Sequence, residues 1–205
     1  MRASYLLVLG LVAYVVLAAF WFTPTPAAGA DDPAKAATAA TGAAAAKFDY
    51  IGSAKCGMCH KSDAKGNQLK VWQGSPHAKA YATLQGEKAK AIATEKKLAK
   101  PAHESPECLK CHATAAMTAA PATAKVKLEE GVSCESFHGP GSAYQAMNVM
   151  KAITAGTQDV KAVGFVKADA TTCTKCHNEE SPTFKGFKYE EYVKKIAHPD
   201  PTQKK

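Results

Sequence analysis

Four short stretches constrain this chain more than anything else in it. They read Cys56-Gly-Met-Cys59-His60, Cys108-Leu-Lys-Cys111-His112, Cys134-Glu-Ser-Phe137-His138 and Cys173-Thr-Lys-Cys176-His177. Three are intact C-x-x-C-H motifs, the signature of covalent haem c attachment. The reason is geometric. Cysteines three positions apart on one helical turn point the same way, so both can form thioethers to the vinyl groups of one haem. The next residue, a histidine, then lies under the iron and offers it an imidazole nitrogen.

Other uses of such cysteines fit less well. Zinc knuckles also use C-x-x-C pairs, but they need no histidine directly after the second cysteine. A thioredoxin-like motif needs a βαβ setting, and no strand pattern surrounds any of these sites. Disulfides are the usual fate of exported cysteines. Here the cysteine count is seven, an odd number, and pairing would leave four adjacent histidines without a role. The third site departs from the motif, with Phe137 where the second cysteine belongs. One thioether through Cys134 and an iron bond from His138 remain available to it. The other reading is that this site has lost its haem and Phe137 packs as ordinary core. The expectation is four haems c, with three as the minimum.

Haem also explains an odd composition. The chain has 205 residues and 46% hydrophobic residues, but aromatics are only 8% and much of the rest is alanine. Such side chains bury little area for a domain of this length. Four large apolar macrocycles would supply the missing core. Their eight or so propionates would also offset the net charge of +8. Lysine supplies all the positive charge beyond Arg2. A nucleic-acid binder is expected to use arginine forks on phosphate, so no nucleic acid is expected as a partner.

The N-terminus reads as an export signal. Met1-Arg2 precedes an uncharged apolar run over 4–22, and Ala28-Gly29-Ala30 forms a small-x-small cleavage site before Asp31. The competing reading is an uncleaved anchor, since that run just suffices to span a bilayer. In both cases the rest of the chain lies outside the cytoplasm, in the periplasm, and only an uncleaved signal implies membrane contact. Residues 31–47 are alanine-rich and read as a tether. The haem domain is then 48–205.

Along that domain helices are expected, with little or no β. Ser75-Pro76 reads as N-cap and N1 proline of a helix running to Leu84. A second helix covers 87–100, and a third starts at Ser105-Pro106 and carries Cys108 to His112. Residues 142–155 and 188–197 read as further helices, and 138–141 as a turn. The intervals between sites are too irregular for a repeat array.

A low-spin haem needs a second axial ligand. Histidines outside the motifs are His77, His103 and His198. His77 begins a helix beside small residues, so its ring can approach a haem face. His198 closes the last helix. His103 reads as an ordinary surface histidine. Met147 and Met150 share a helix face, as ligands or as core packing.

Two segments carry a resemblance. Tyr50-Ile-Gly-Ser-Ala-Lys-Cys56-Gly-Met-Cys59-His60, Trp72 and Ser75-Pro-His77-Ala-Lys-Ala resemble the opening of the tetrahaem cytochrome c-554 family. Gly131-Val-Ser-Cys134-Glu-Ser-Phe137-His138-Gly-Pro-Gly141 resembles its third haem segment, except at Phe137. The resemblance spans residues 48 to about 180. It implies a mainly helical multihaem fold with closely stacked haem pairs and a periplasmic electron carrier. One member takes electrons from hydroxylamine oxidoreductase. By that resemblance His77 is the distal ligand opposite His138, and His198 the one opposite His177. In a family member the second haem is five-coordinate, so the resemblance implies that a haem on His112 lacks a distal ligand. The haem on His60 would take its distal ligand from the helix after Gly141, where a family member has histidine and this chain offers Met147 or Met150.

The chain is thus expected to relay electrons between redox protein partners, without a catalytic acid or base. The competing expectation is a haem enzyme that reduces a small nitrogen oxide or peroxide at an open iron on His112. A third is a structural link in a larger multihaem assembly.

Overall fold

Fourteen glycines and eleven prolines break the chain too often for long helices. The computed structural model describes residues 48–119 and 125–200. Among them it has ten short α-helices, several 3₁₀ turns and no strand. The helices are α1 (Ser53–His60), α2 (Gln68–Gly74), α3 (Ala80–Thr83), α4 (Glu87–Glu95) and α5 (Pro106–His112). They continue as α6 (Thr114–Thr118), α7 (Cys134–His138), α8 (Met147–Thr154), α9 (Ala170–Thr174) and α10 (Tyr189–Ile196). The fold is mainly α. The export segment and the alanine-rich tether lie outside the described residues. No described helix is long and apolar enough to cross a membrane.

Three helix boundaries differ from those read in the sequence, each for a local reason. Ser75 does act as a cap, its Oγ accepting from the Ala78 N–H at 3.4 Å. The turn it starts is 3₁₀ over His77–Lys79, and α3 follows it. The alanine- and lysine-rich helix stops at Glu95 rather than Lys100. Lys97 turns left-handed at φ 52°, and the Leu98 N–H returns to the Ala93 carbonyl at 3.0 Å. That closure usually advertises itself with glycine, and here lysine occupies the position. The helix expected from Ser142 begins only at Met147. Its first residues are held elsewhere: the Ser142 Oγ accepts from the Asp49 N–H at 2.8 Å, and the Ser142 N–H donates to the Asp49 carbonyl at 3.1 Å.

Packing brings α1 against α2 and α7, and α5 against α3, α6 and the turn at 102–104. Gly57 allows the first of these contacts, because a Cβ there would lie 2.6 Å from Leu69 Cδ2. The main core cluster is Leu84, Ala93, Ala102, Leu109 and Ala113. Among the described residues, five of the nine buried apolar side chains are alanines. At about 25 cal/mol per Å² such small side chains contribute little. This is the thin side-chain core that the composition implied.

Candidate haem-binding site

Each attachment segment folds as a short helix. Cys56, Cys59 and His60 lie on α1, which ends at the histidine. Cys108, Cys111 and His112 lie on α5 in the same way, and Cys134, Phe137 and His138 on α7. Cys173 lies on α9, and Cys176 and His177 follow directly after it. The His177 N–H still donates to the Cys173 carbonyl at 3.0 Å, so the helical turn persists to the histidine. All seven cysteines are free.

The helices associate in two pairs. The Cys56 and Cys134 thiols are neighbours, and their mutual hydrogen bonding raises the pKa of Cys56 and lowers that of Cys134. The first and third sites therefore adjoin. Cys176 adjoins Cys111, and burial followed by that neighbour pushes its thiol up to about 12. Lys110 and Glu180 close the second pair with an ion pair of 2.5 Å. Second and fourth sites therefore adjoin.

Three of the four motif histidines are held through Nδ1. His112 Nδ1 donates to the Ala80 carbonyl at 2.8 Å, and Thr83 Oγ1 lies 3.3 Å from it. His138 Nδ1 donates to the Val166 carbonyl at 3.2 Å. The same strap returns the bond, the Val166 N–H donating to the His138 carbonyl at 2.9 Å. His60 Nδ1 meets Gln68 Oε1 at 3.4 Å. A bond at Nδ1 leaves Nε2 as the free donor atom, which is how metal-ligating histidines are usually oriented. Phe165 stacks on the His138 face at 5.6 Å and 10°, and Phe187 on the His177 face at 4.8 Å and 15°. Face stacking restrains the ring and leaves its nitrogen edge open.

The candidate distal ligands His77 and His198 each lie beside a motif histidine other than the one implied by the resemblance. His77 faces His177, with ring centroids 6.0 Å apart, and His198 faces His138, also at 6.0 Å. Two imidazoles on opposite sides of one metal, each bonded at about 2 Å, have centroids roughly 6 Å apart. The spacing thus suits a bis-histidine iron in both pairs. The cause lies in the chain path. Ala80 and Thr83 hold His112, so the turn beginning at His77 lies over the second and fourth sites. The segment carrying His198 is gripped by Gln68, whose Nε2 donates to the Pro199 carbonyl at 2.9 Å and whose Oε1 meets His60. His198 is thereby delivered to the first and third sites. Burial lowers the pKa of His77 and of His138, which favours the neutral, metal-binding form of both rings.

The donor set fits haem c: paired free thiols on one turn, a following imidazole with Nε2 free, and facing imidazoles in two cases. Met147 stands 63% exposed at the start of α8, and Met150 is half-buried a turn later. No hydrogen bond or ring contact joins either to His60 among the described residues. His103 forms a 3.6 Å contact with Glu104. Phe137 touches His77 edge-on at 5.4 Å, so it lies where the two pairs meet.

Comparison with known proteins agrees with this donor set. Residues 55–139 match the family model described as cytochrome c554 and c-prime, a stretch that holds the first three sites. This stretch, less than half of the chain, is similar to the cytochrome c-554 family. Cytochrome c-554 of Nitrosomonas europaea is 31% identical over 105 residues, covering 49% of this chain and 43% of that protein. The chain thus matches less than half the length of this curated relative. No solved structure matches. The supports that the structure shows around the motif histidines, Gln68, Ala80, Phe165, Val166 and Phe187, were not singled out in the sequence. Two of them act through backbone carbonyls, which carry no sequence signature.

His77 depends on a close backbone approach. The Val132 N–H donates to its carbonyl at 2.9 Å, and Gly131 at φ 64° packs beneath, where a Cβ would lie 2.5 Å from that oxygen. Gly131→Ala is expected to cost about 1–3 kcal/mol through strain and displacement of this turn. Thermal unfolding of the holoprotein measures it.

Proposed function

We propose that this chain is an exported, periplasmic multihaem c-type cytochrome that relays electrons between redox protein partners. Four attachment helices, arranged as two adjoining pairs, are the observation that carries the reading. Haem c, when bound, supplies one-electron exchange between ferric and ferrous iron. The protein's part is to fix that group. Cys56, Cys59, Cys108, Cys111, Cys134, Cys173 and Cys176 tether it, and His60, His112, His138 and His177 offer the proximal nitrogen. His77 and His198 complete the coordination opposite His177 and His138. Facing imidazoles already at the right spacing need little reorganisation on a change of iron charge, which suits rapid relay.

The test is the mass of the denatured protein together with a pyridine haemochrome assay, on material from cells with a working haem-attachment system. Three or four covalent haems are expected. A mass equal to the bare polypeptide sinks the reading. N-terminal sequencing tests export, with Asp31 the expected first residue.

One observation favours a second reading. Among the described residues no imidazole ring faces His112, so an iron there would have an open side for a small nitrogen oxide or peroxide. A high-spin haem whose turnover exceeds that of free haem would establish such an enzyme. A wholly low-spin protein, or one with no such turnover, leaves the carrier.

A further inference from the structure

Glu135 lies inside the third attachment segment, and it is 2% exposed. Burying a carboxylate costs several kcal/mol unless it is paired or hydrogen-bonded. Here backbone donors offset that cost. The Ile51 N–H donates to both oxygens at 2.9 and 3.1 Å, the Gly52 N–H to one at 2.8 Å and the Gly141 N–H to the other at 2.7 Å. Three backbone N–H groups thus converge on an acceptor-only carboxylate and occupy both of its oxygens. Gly52 is the N-cap of α1, so the positive end of that helix also faces the acid. Gly141 has to be glycine for the approach. A Cβ there would lie 2.7 Å from Ile51 Cδ1 and 3.1 Å from Glu135 Oε1.

The position of this charge matters more than its role as a pin. It lies where α1 meets α7, between the helices of the first and third sites. Its field raises the pKa of Cys56, Tyr50 and Tyr144, though burial is the larger cause for both tyrosines, and hydrogen bonding to Cys134 and then burial for Cys56. Cys56 and Cys134, the sulfurs that would join the two haems, flank it.

We propose that Glu135 is a fixed buried anion that lowers the reduction potentials of the haems at the first and third sites. The proposal rests on the haem reading above. A haem held at either site would lose one unit of positive charge on accepting one electron from a redox protein partner. A nearby anion attracts the ferric state more strongly and so opposes that gain. In a low-dielectric interior the effect is larger than for a surface carboxylate. Glu135 acts as a positioning and tuning residue and touches no reacting atom.

The experiment compares the holoprotein with Glu135→Gln and Glu130→Gln by spectroelectrochemical titration, after haem content has been counted by mass. Glutamine keeps the size and one carbonyl acceptor but removes the charge. Glu130 is the control, a half-buried acid that accepts from the Ser53 N–H at 2.8 Å and the Lys127 N–H at 3.3 Å. Glu135→Gln is expected to move two reduction waves upward, or one if the third site holds no haem, and further than Glu130→Gln does. A Glu135→Gln protein with full haem, a lowered thermal midpoint and unmoved waves means a structural pin only, and overturns the proposal. Should Glu135→Gln lose haem, redox-difference infrared spectra of the unsubstituted protein serve instead. Carboxylate bands that respond to reduction, with no carboxylic-acid carbonyl band, support it. A carboxylic-acid carbonyl band that shifts on reduction and moves with isotope-labelled glutamate overturns it. If the unsubstituted protein carries no haem, the parent reading has failed, and the mass reports that separately.

Discussion

Replacing His77 with alanine is expected to convert one low-spin haem to high spin, and that haem is the one held by His177. The rings of His77 and His177 face each other at 6.0 Å, and no other imidazole lies on that side of His177 among the described residues. His198→Ala is expected to do the same to the haem held by His138, its facing partner. Visible and EPR spectra count the converted haems. Assignment comes from the proximal side: His177→Met should perturb the same low-spin EPR component that His77→Ala removes. His138→Met should perturb the component that His198→Ala removes. If the components exchange partners, so that His77 tracks with His138, the His77–His177 and His198–His138 pairing is wrong. If neither alanine variant changes the spin count, neither histidine is a ligand. Added imidazole should restore the low-spin spectrum of both variants, because each substitution opens a space of the ligand's own size.

Phe137→Cys is expected to move one reduced α-band component to shorter wavelength without changing the haem count. With a single thioether partner, Cys134, a haem at the third site would keep one vinyl group unsaturated, which extends the conjugation. Restoring the second thiol saturates that vinyl group and brings the band to the ordinary haem c position. His138 keeps its iron bond throughout, since its Nδ1 is held by Val166 and its face by Phe165, independently of Phe137. The same substitution removes the edge contact between Phe137 and His77. A small change in the spectrum of the haem held by His177 should therefore accompany the main shift. A gain of one whole haem by mass would instead mean that the natural third site is empty and the protein has three haems.

Local chemistry is what the sequence carried well. The three C-x-x-C-H motifs and their altered fourth copy specify attachment, because the second cysteine and the histidine must follow the first at fixed offsets on one helical turn. Those offsets are properties of a few consecutive residues, and the structure realises each as a short helix. The stop of α10 before Pro199 was legible for the same reason, since proline ends a helix by its own geometry. The stop of α4 was not, because a left-handed lysine at position 97 leaves no mark in composition. The delayed start of α8 was not either, because Asp49 and Glu135 hold Ser142 and Gly141 from outside the segment.

The sequence by itself thus determined the mainly helical class, the four cysteine–histidine segments and the residues eligible as ligands. Only the tertiary structure decided which sites adjoin and which histidine faces which. Those relations depend on contacts such as Ala80 with His112, Gln68 with Pro199 and Lys110 with Glu180, between residues 32, 131 and 70 positions apart. Periodicity along the chain has no reach over such distances, and a resemblance that fixes residue types leaves their partners open. The buried charge of Glu135 belongs to the same class. Nothing in the short motif marks this glutamate as buried, and only the convergence of the Ile51, Gly52 and Gly141 N–H groups satisfies its oxygens away from water.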